Sequence, residues 1–203
     1  MPEFPLIVCY YTRDTLYQLE VQNLIASCEK WGLKYHVESI ASLGSWEKNC
    51  SFKPFFLLEK LQQFQKPLFW VDADAEFVAS PRWLDVFDHD LAVRMNKNLA
   101  DDHPSKVISN SFFVNATLAA SNLLKAWGQE CIDSFLRPGR TEEVWDQMTL
   151  RDVILKKGEI ARVAALPLEY AAIADHPEDQ QIKNIVIAHY QASRRFKQMI
   201  NHP

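Results

Sequence analysis

A chain of 203 residues, 48% of them hydrophobic, can bury one substantial core. Its formal net charge of -4 gives no electrostatic reason for general nucleic-acid or membrane-surface binding, so any phosphate site must be local. The four cysteines, Cys9, Cys28, Cys50 and Cys131, form no CxxC pair, which leaves zinc and thioredoxin-like readings without support.

Leu6 to Tyr11 is a continuous apolar run suited to a strand covered on both faces. The polar TRDT after it marks a turn into a helix, with Thr15 and Gln18 placed for a capping box. Tyr17, Val21, Leu24, Cys28 and Trp31 then share one helical face, Glu20, Asn23, Ser27 and Lys30 fall mostly outside it, and Gly32 ends the element. Lys34 to Ile40 reads as a second strand, Phe55 to Phe64 as a helix starting after Pro54, and Pro67 to Val71 as a third, buried strand. Further on, strands are expected over Leu91 to Met95, Val107 to Asn115, Ala161 to Leu166 and Asn184 to His189, and helices over Leu118 to Leu136 and Trp145 to Lys156. Hydrophobic segments recur from Leu6 to Met199 without a Gly/Ser-rich or Pro-rich linker, so the expectation is a single α/β domain over 1–203 with a mostly parallel central sheet flanked by helices. MPEFPLIVCYYT has no basic leader pattern and no later run could span a bilayer, so a cytoplasmic location is expected, with no transmembrane segment and no nucleic-acid partner.

The third strand ends in FWVDADAEF, with Asp72 and Asp74 one residue apart at the edge where ligands of such sheets collect. On an extended segment residues i and i+2 face the same side, so the two carboxylates converge while Ala73 turns away. Two acids that close repel unless a cation or proton sits between them, and hard oxygen donors suit Mg²⁺ or Mn²⁺. Read as a surface carboxylate, Asp74 is expected to be removable without loss of the fold. Haloacid-dehalogenase-like phosphatases also place an Asp pair after a strand, as DxDx[TV], but Glu76 stands here where Thr or Val is required.

Lys53 to Pro81, KPFFLLEKLQQFQKPLFWVDADAEFVASP, resembles the central segment of GT-A nucleotide-diphospho-sugar transferases, particularly the glycogenin-like retaining glycosyltransferases. VCYYT resembles their nucleotide-contacting first strand, SNSFFVN their NSG-type segment, WDQMTL their DQ helix and LPLEY their late Leu-Pro motif, all in the family's order. The resemblance implies a Rossmann-like GT-A fold and a metal-dependent transfer of sugar, with retention, from a nucleotide-diphosphate donor, UDP-linked by preference, to an unknown acceptor. It implies His189 as a third metal ligand beside Asp72 and Asp74, and Asp146 and Gln147 near the anomeric carbon. Tyr10, Tyr11 and Thr12 would hold base and ribose, Lys53, Asn110 and Ser111 the donor sugar or phosphate, and Asp72 the donor through the metal.

The chain departs from the pattern in two places. Where the glycogenin type reads HxxGxxKP, His189 is followed by Ala192, Arg195 and Phe196, so the phosphate contact falls to Arg195, Arg194 or Lys197. Phe112 replaces the glycine of the NSG segment and is expected to crowd a backbone that approaches the sugar. Two other classes therefore stay open: another metal-dependent nucleotide or phosphate enzyme (nucleotidyltransferase or phosphatase), and a catalytically degenerate GT-A-like binding protein.

Overall fold

The computed structural model describes residues 3–156 and 160–192. β1 (Leu6–Thr12), α1 (Tyr17–Lys30) and β2 (Tyr35–Ile40) open the chain, followed by α2 (Trp46–Ser51), α3 (Lys53–Phe64), β3 (Leu68–Val71) and β4 (Ala75–Phe77). β5 (Leu91–Met95), β6 (Val107–Val114), α4 (Leu118–Leu136), α5 (Asp146–Lys156), β7 (Val163–Ala165), β8 (Ala172–Ile173) and β9 (Ile187–His189) complete the order. The central sheet runs β2-β1-β3-β6-β5-β7, and β4, β9 and β8 form a second, small sheet. Five of the six central strands point the same way, because β6 alone pairs antiparallel, with β3 on one side and β5 on the other.

Strand alternation sorts the core into two layers. Val8, Tyr10, Leu68, Trp70 and Phe112 face α3, α4 and α5, whereas Ile7, Cys9, Phe69, Val71 and Phe113 face α1 and the small sheet. α3 and α4 pack so closely that a Cβ on Gly128 would stand 2.9 Å from the Phe55 ring. Burying each of these aromatic and aliphatic side chains contributes about 1.5 to 3 kcal/mol, so the sheet is anchored from both faces.

Several expectations change in detail. Thr15 does not cap α1: its hydroxyl donates back to the Thr12 carbonyl at 2.6 Å, and no side chain caps the helix. Ser27 is buried, and its hydroxyl accepts the Phe77 N–H at 3.0 Å, which ties α1 to β4. The helix after Cys50 starts at Lys53, with Pro54 in its first turn, and α2 precedes it, capped by Ser45 through the Lys48 N–H. β9 cannot start at Asn184, whose φ of 57° is left-handed, and only Val163–Ala165 of the next-to-last expected strand forms β7.

Candidate active site

The acids of the DAD segment converge through a turn, not along an extended strand. β3 stops at Val71, and the Ala75 N–H donates back to the Asp72 carbonyl at 3.2 Å. β9 then lies antiparallel on β4 with His189 opposite Ala75, and the Tyr190 N–H donates to the Asp74 carbonyl at 3.0 Å. That pairing delivers the imidazole. One ligand atom from each of Asp72, Asp74 and His189 lies within 4.8 Å of the other two.

The electrostatics of the three groups differ. Burial, reinforced by the Asp72 charge, pushes the Asp74 carboxyl up to about 7. Burial also raises Asp72, with Lys53 opposing and the Asp146 charge adding to the rise. His189 is held down at about 3 by burial and by the positive charges of Lys53 and Arg94, so its ring is neutral. Ser111 Oγ lies 2.6 Å from His189 Nε2, whereas His189 Nδ1 is buried with no hydrogen-bond partner. A neutral imidazole with an orphaned ring nitrogen beside two carboxylates fits a divalent cation, and the nitrogen donor suits Mn²⁺ better than Mg²⁺.

Behind the acids stands Lys53, only 4% exposed. Its ammonium lies 3.1 Å from Asp72 Oδ1 and 2.7 Å from Asp146 Oδ2, and donates to the Ser109 carbonyl at 2.9 Å. Three partners exhaust its three protons, so Lys53 touches a ligand only through these carboxylates. Burial pulls its pKa down, but Asp146 and Asp72 overcome that and raise it, which keeps the ammonium charged. Trp70 Nε1 donates to the same Asp72 Oδ1 at 2.7 Å, leaving Oδ2 to a ligand. Asp74 Oδ2 accepts the Ala192 N–H at 2.6 Å; with 8% exposure Asp74 is no surface carboxylate, and its removal would leave that buried N–H without this acceptor.

Asp146 is fixed by Lys53 and by the Ser109 hydroxyl at 2.6 Å, at the start of α5. An irregularity in the β5–β6 ladder explains how two serines serve two sites. The register passes from Val93 opposite Phe112 to Arg94 opposite Ile108, so Ser109, Asn110 and Ser111 have no partner on β5. Ser109 then reaches Asp146 and Ser111 reaches His189, although residues two apart on a regular strand would share a side. Phe112 does not crowd the site: it is fully buried, stacked on Trp70 and set edge-on to Trp127.

A cavity of about 580 Å³ opens at the carboxyl ends of β1 and β3 and runs to the loop joining β5 to β6. Tyr10, Tyr11, Thr12, Lys53, Asp72, Asp74, Asn110, Asp146, Gln147 and His189 all line it, which gathers most of the sequence-expected residues. Ser111 stands behind His189. Tyr10 is pinned in the core, its hydroxyl donating to the Asn49 carbonyl at 2.6 Å, while Tyr11 packs partly buried on the opposite layer. Asn110 Oδ1 accepts the Ser111 N–H at 2.7 Å, and Gln147 Nε2 donates to the Pro104 carbonyl at 3.0 Å. Arg194, Arg195 and Lys197 lie outside the described residues.

Sequence reasoning missed Ser109, Trp46, Trp145, Glu47 and the Arg94–Asp179 pair. Glu47 grips both Arg140 nitrogens at 2.9 and 3.0 Å and accepts the Val144 N–H at 2.7 Å, which fastens the approach to Asp146 onto α2. Only the Ser-x-x-Lys spacing at Ser45, a weak helix start, could have signalled α2.

No family model and no curated protein sequence matches the chain. Solved structures do. A glycosyltransferase involved in the glycosylation of the major capsid of PBCV-1 superposes with a TM-score of 0.67 at 13% identity, over 100% of both chains. The glycosyltransferase GlyE of Streptococcus pneumoniae TIGR4 superposes with a TM-score of 0.57 at 14% identity, over 92% of this chain and 55% of its own. The chain has a glycosyltransferase fold. Within that glycosyltransferase fold the cavity sits where an open α/β sheet places its ligand, beyond the strand ends. Among the described residues, no helix is long and apolar enough to cross a membrane.

Proposed function

We propose that the protein is a divalent-metal-dependent glycosyltransferase that takes its sugar from a nucleotide-diphosphate donor, UDP-linked by preference, and retains anomeric configuration. The observation that carries this reading is the cluster of Asp72, Asp74 and His189, with an imidazole nitrogen buried and unpartnered beside two acids. Asp72, Asp74 and His189 would hold Mn²⁺ or Mg²⁺, which when bound supplies positive charge to a departing diphosphate.

Charge balance supports the same reading. Among the described residues the cavity is lined by the carboxylates of Asp72, Asp74, Asp146 and Glu178 against two cations, Lys53 and Arg94. Both cations are engaged by carboxylates, Lys53 by Asp72 and Asp146 and Arg94 by Asp179. An anionic diphosphate entering this space needs added positive charge, from a metal ion and from Arg194, Arg195 or Lys197 in the tail.

The chain's own groups then have separate tasks. Tyr11 and Thr12 bind the nucleoside at the end of β1, and Tyr10 shapes that wall from the core. Ser111 orients His189. Lys53 holds Asp72 and Asp146 at fixed separation, and Asp146 and Asn110 face the sugar, where oxygen lone pairs stabilise developing positive charge. Asp146 Oδ2 accepts from Ser109 and Lys53, which leaves Oδ1 to face the sugar. Retention is carried over from the resemblance to the glycogenin-like enzymes.

The test is calorimetry with Mn²⁺ and UDP or GDP. The wild type should bind nucleotide only with metal, and Asp74→Asn and His189→Ala should abolish that metal-dependent binding. Nucleotide binding that ignores metal in the wild type would sink the proposal. Product anomers from a turnover assay, read by NMR, decide retention.

A further inference from the structure

Beyond the ligand cluster, the cavity changes character toward the loop joining β5 to β6. Trp145 and Leu99 give that end apolar surface, and His103, His176 and Glu178 give it polar groups. The nearby cation, Arg94, is buried and closed off: its guanidinium grips both oxygens of Asp179, at 2.7 Å for the Nη2–Oδ1 bond, and donates to the Ala171 carbonyl at 2.9 Å. No uncommitted lysine or arginine lines the cavity among the described residues.

We infer that this end is the acceptor subsite and that it takes an uncharged saccharide, one pyranose face laid on the Trp145 indole. The inference rests on the transferase reading above. A sugar ring carries an apolar C–H face and a girdle of hydroxyls, so it needs a flat aromatic surface with donors and acceptors around it. Trp145 is half-buried and lines the cavity, set edge-on to Trp46 at 6.0 Å between ring centres. Its chain neighbour is Asp146, which places the platform beside the carboxylate that faces the reacting sugar.

The polar groups are of the right kind. Ser105 N–H donates to His103 Nδ1 at 3.0 Å, which leaves Nε2 to carry the ring N–H as a donor. Glu178 supplies acceptor oxygens. Among the described residues, a phosphorylated or carboxylated acceptor would meet Glu178 and no lysine or arginine free of a carboxylate partner. The loop is also built before any ligand arrives. Asn96 Nδ2 donates to the Ser105 carbonyl at 2.7 Å, Lys106 Nζ to the Leu99 carbonyl at 2.6 Å, and Gln147 holds Pro104.

Saturation-transfer NMR on the full chain with UDP and Mn²⁺, against cellobiose, maltose, lactose, glucose and glucose 6-phosphate, tests this. At least one neutral disaccharide should bind, and glucose 6-phosphate should bind no better than glucose. Trp145→Ala should weaken the disaccharide about 5- to 10-fold while UDP affinity holds, and Trp145→Phe should keep most of it. His103→Ala, at an exposed position, should weaken it as well without touching the core. Tighter binding of the phosphorylated sugar, no disaccharide binding by a protein that does bind UDP with Mn²⁺, or loss of UDP alone in Trp145→Ala would overturn the inference. The last result would make Trp145 a nucleobase platform. A wild type that binds no nucleotide with Mn²⁺ is a separate outcome, which removes the transferase reading and this inference with it.

Discussion

Two buried ion clusters line the same cavity, and they are built on opposite principles. In the first, Arg94 meets Asp179 fork to fork, and Asp179 Oδ2 also accepts the Ile173 N–H at 2.7 Å, so one positive charge answers one negative. In the second, one lysine is shared between Asp72 and Asp146, and Asp74 stands beside them with its pKa pushed up to about 7. The closed pair needs nothing further. The open cluster holds more negative charge than its residues can balance, a cost to the fold that a bound cation would offset.

The largest expected effect comes from breaking the closed pair. Asp179→Ala leaves a buried guanidinium unpaired and should destabilise the protein by about 3 to 5 kcal/mol in urea unfolding. An Arg94→Met, Asp179→Leu double variant should recover much of that loss, since neither charge is then stranded. Failure to recover would mean the pair does more than fill its site.

Ser111→Ala probes the open cluster without touching a ligand. The His189 ring loses the hydroxyl that fixes it, and Mn²⁺ affinity by calorimetry should fall about 10- to 100-fold. Glu47→Gln, which weakens the clamp on Arg140 and Val144, should cost about 1.5 kcal/mol in thermal unfolding.

Smaller still is a pH effect. Burial raises the Asp179 carboxyl, but the Arg94 hydrogen bond outweighs it and the net pKa lies below the ordinary carboxylate value. The stability this supplies is present above about pH 4 and is lost as pH falls through the depressed folded value. The gap in melting temperature between the wild type and Asp179→Asn should therefore narrow on acidification. The smallest change is expected for Asp72→Asn in metal-free protein, with a melting temperature equal to or above that of the wild type, while metal-dependent nucleotide binding disappears. A marked loss of stability in that variant would place Asp72 with the structural pair.

Much of this was legible in the sequence, for identifiable reasons. Leu91–Met95 and Leu118–Leu136 were read with the bounds they have, because an unbroken apolar run and a long helical stripe are local signals. The DAD acids and His189 were read from a strand-end pattern and a family resemblance, and the pairing of β4 with β9 brings them together. What stayed hidden depends on contacts between distant segments. Nothing in the neighbourhood of Arg94 announces Asp179, and the six residues of α2 are too few to show a period. Lys53 read as a residue that reaches the donor, because a sequence cannot show that three acceptors already surround its ammonium. Phe112 read as an obstacle for the same reason, since strand parity near the unpaired SNS residues does not tell which way the ring turns.

The seam where β9 lies along β4 has one more consequence. Two of the would-be ligands sit on one side of it and the third on the other, so an ion held there would act as a rivet through both flaps. Occupancy of the metal cluster and anchorage of β9 would then be one equilibrium, visible as slowed amide exchange across Ile187–His189 whenever manganese is added.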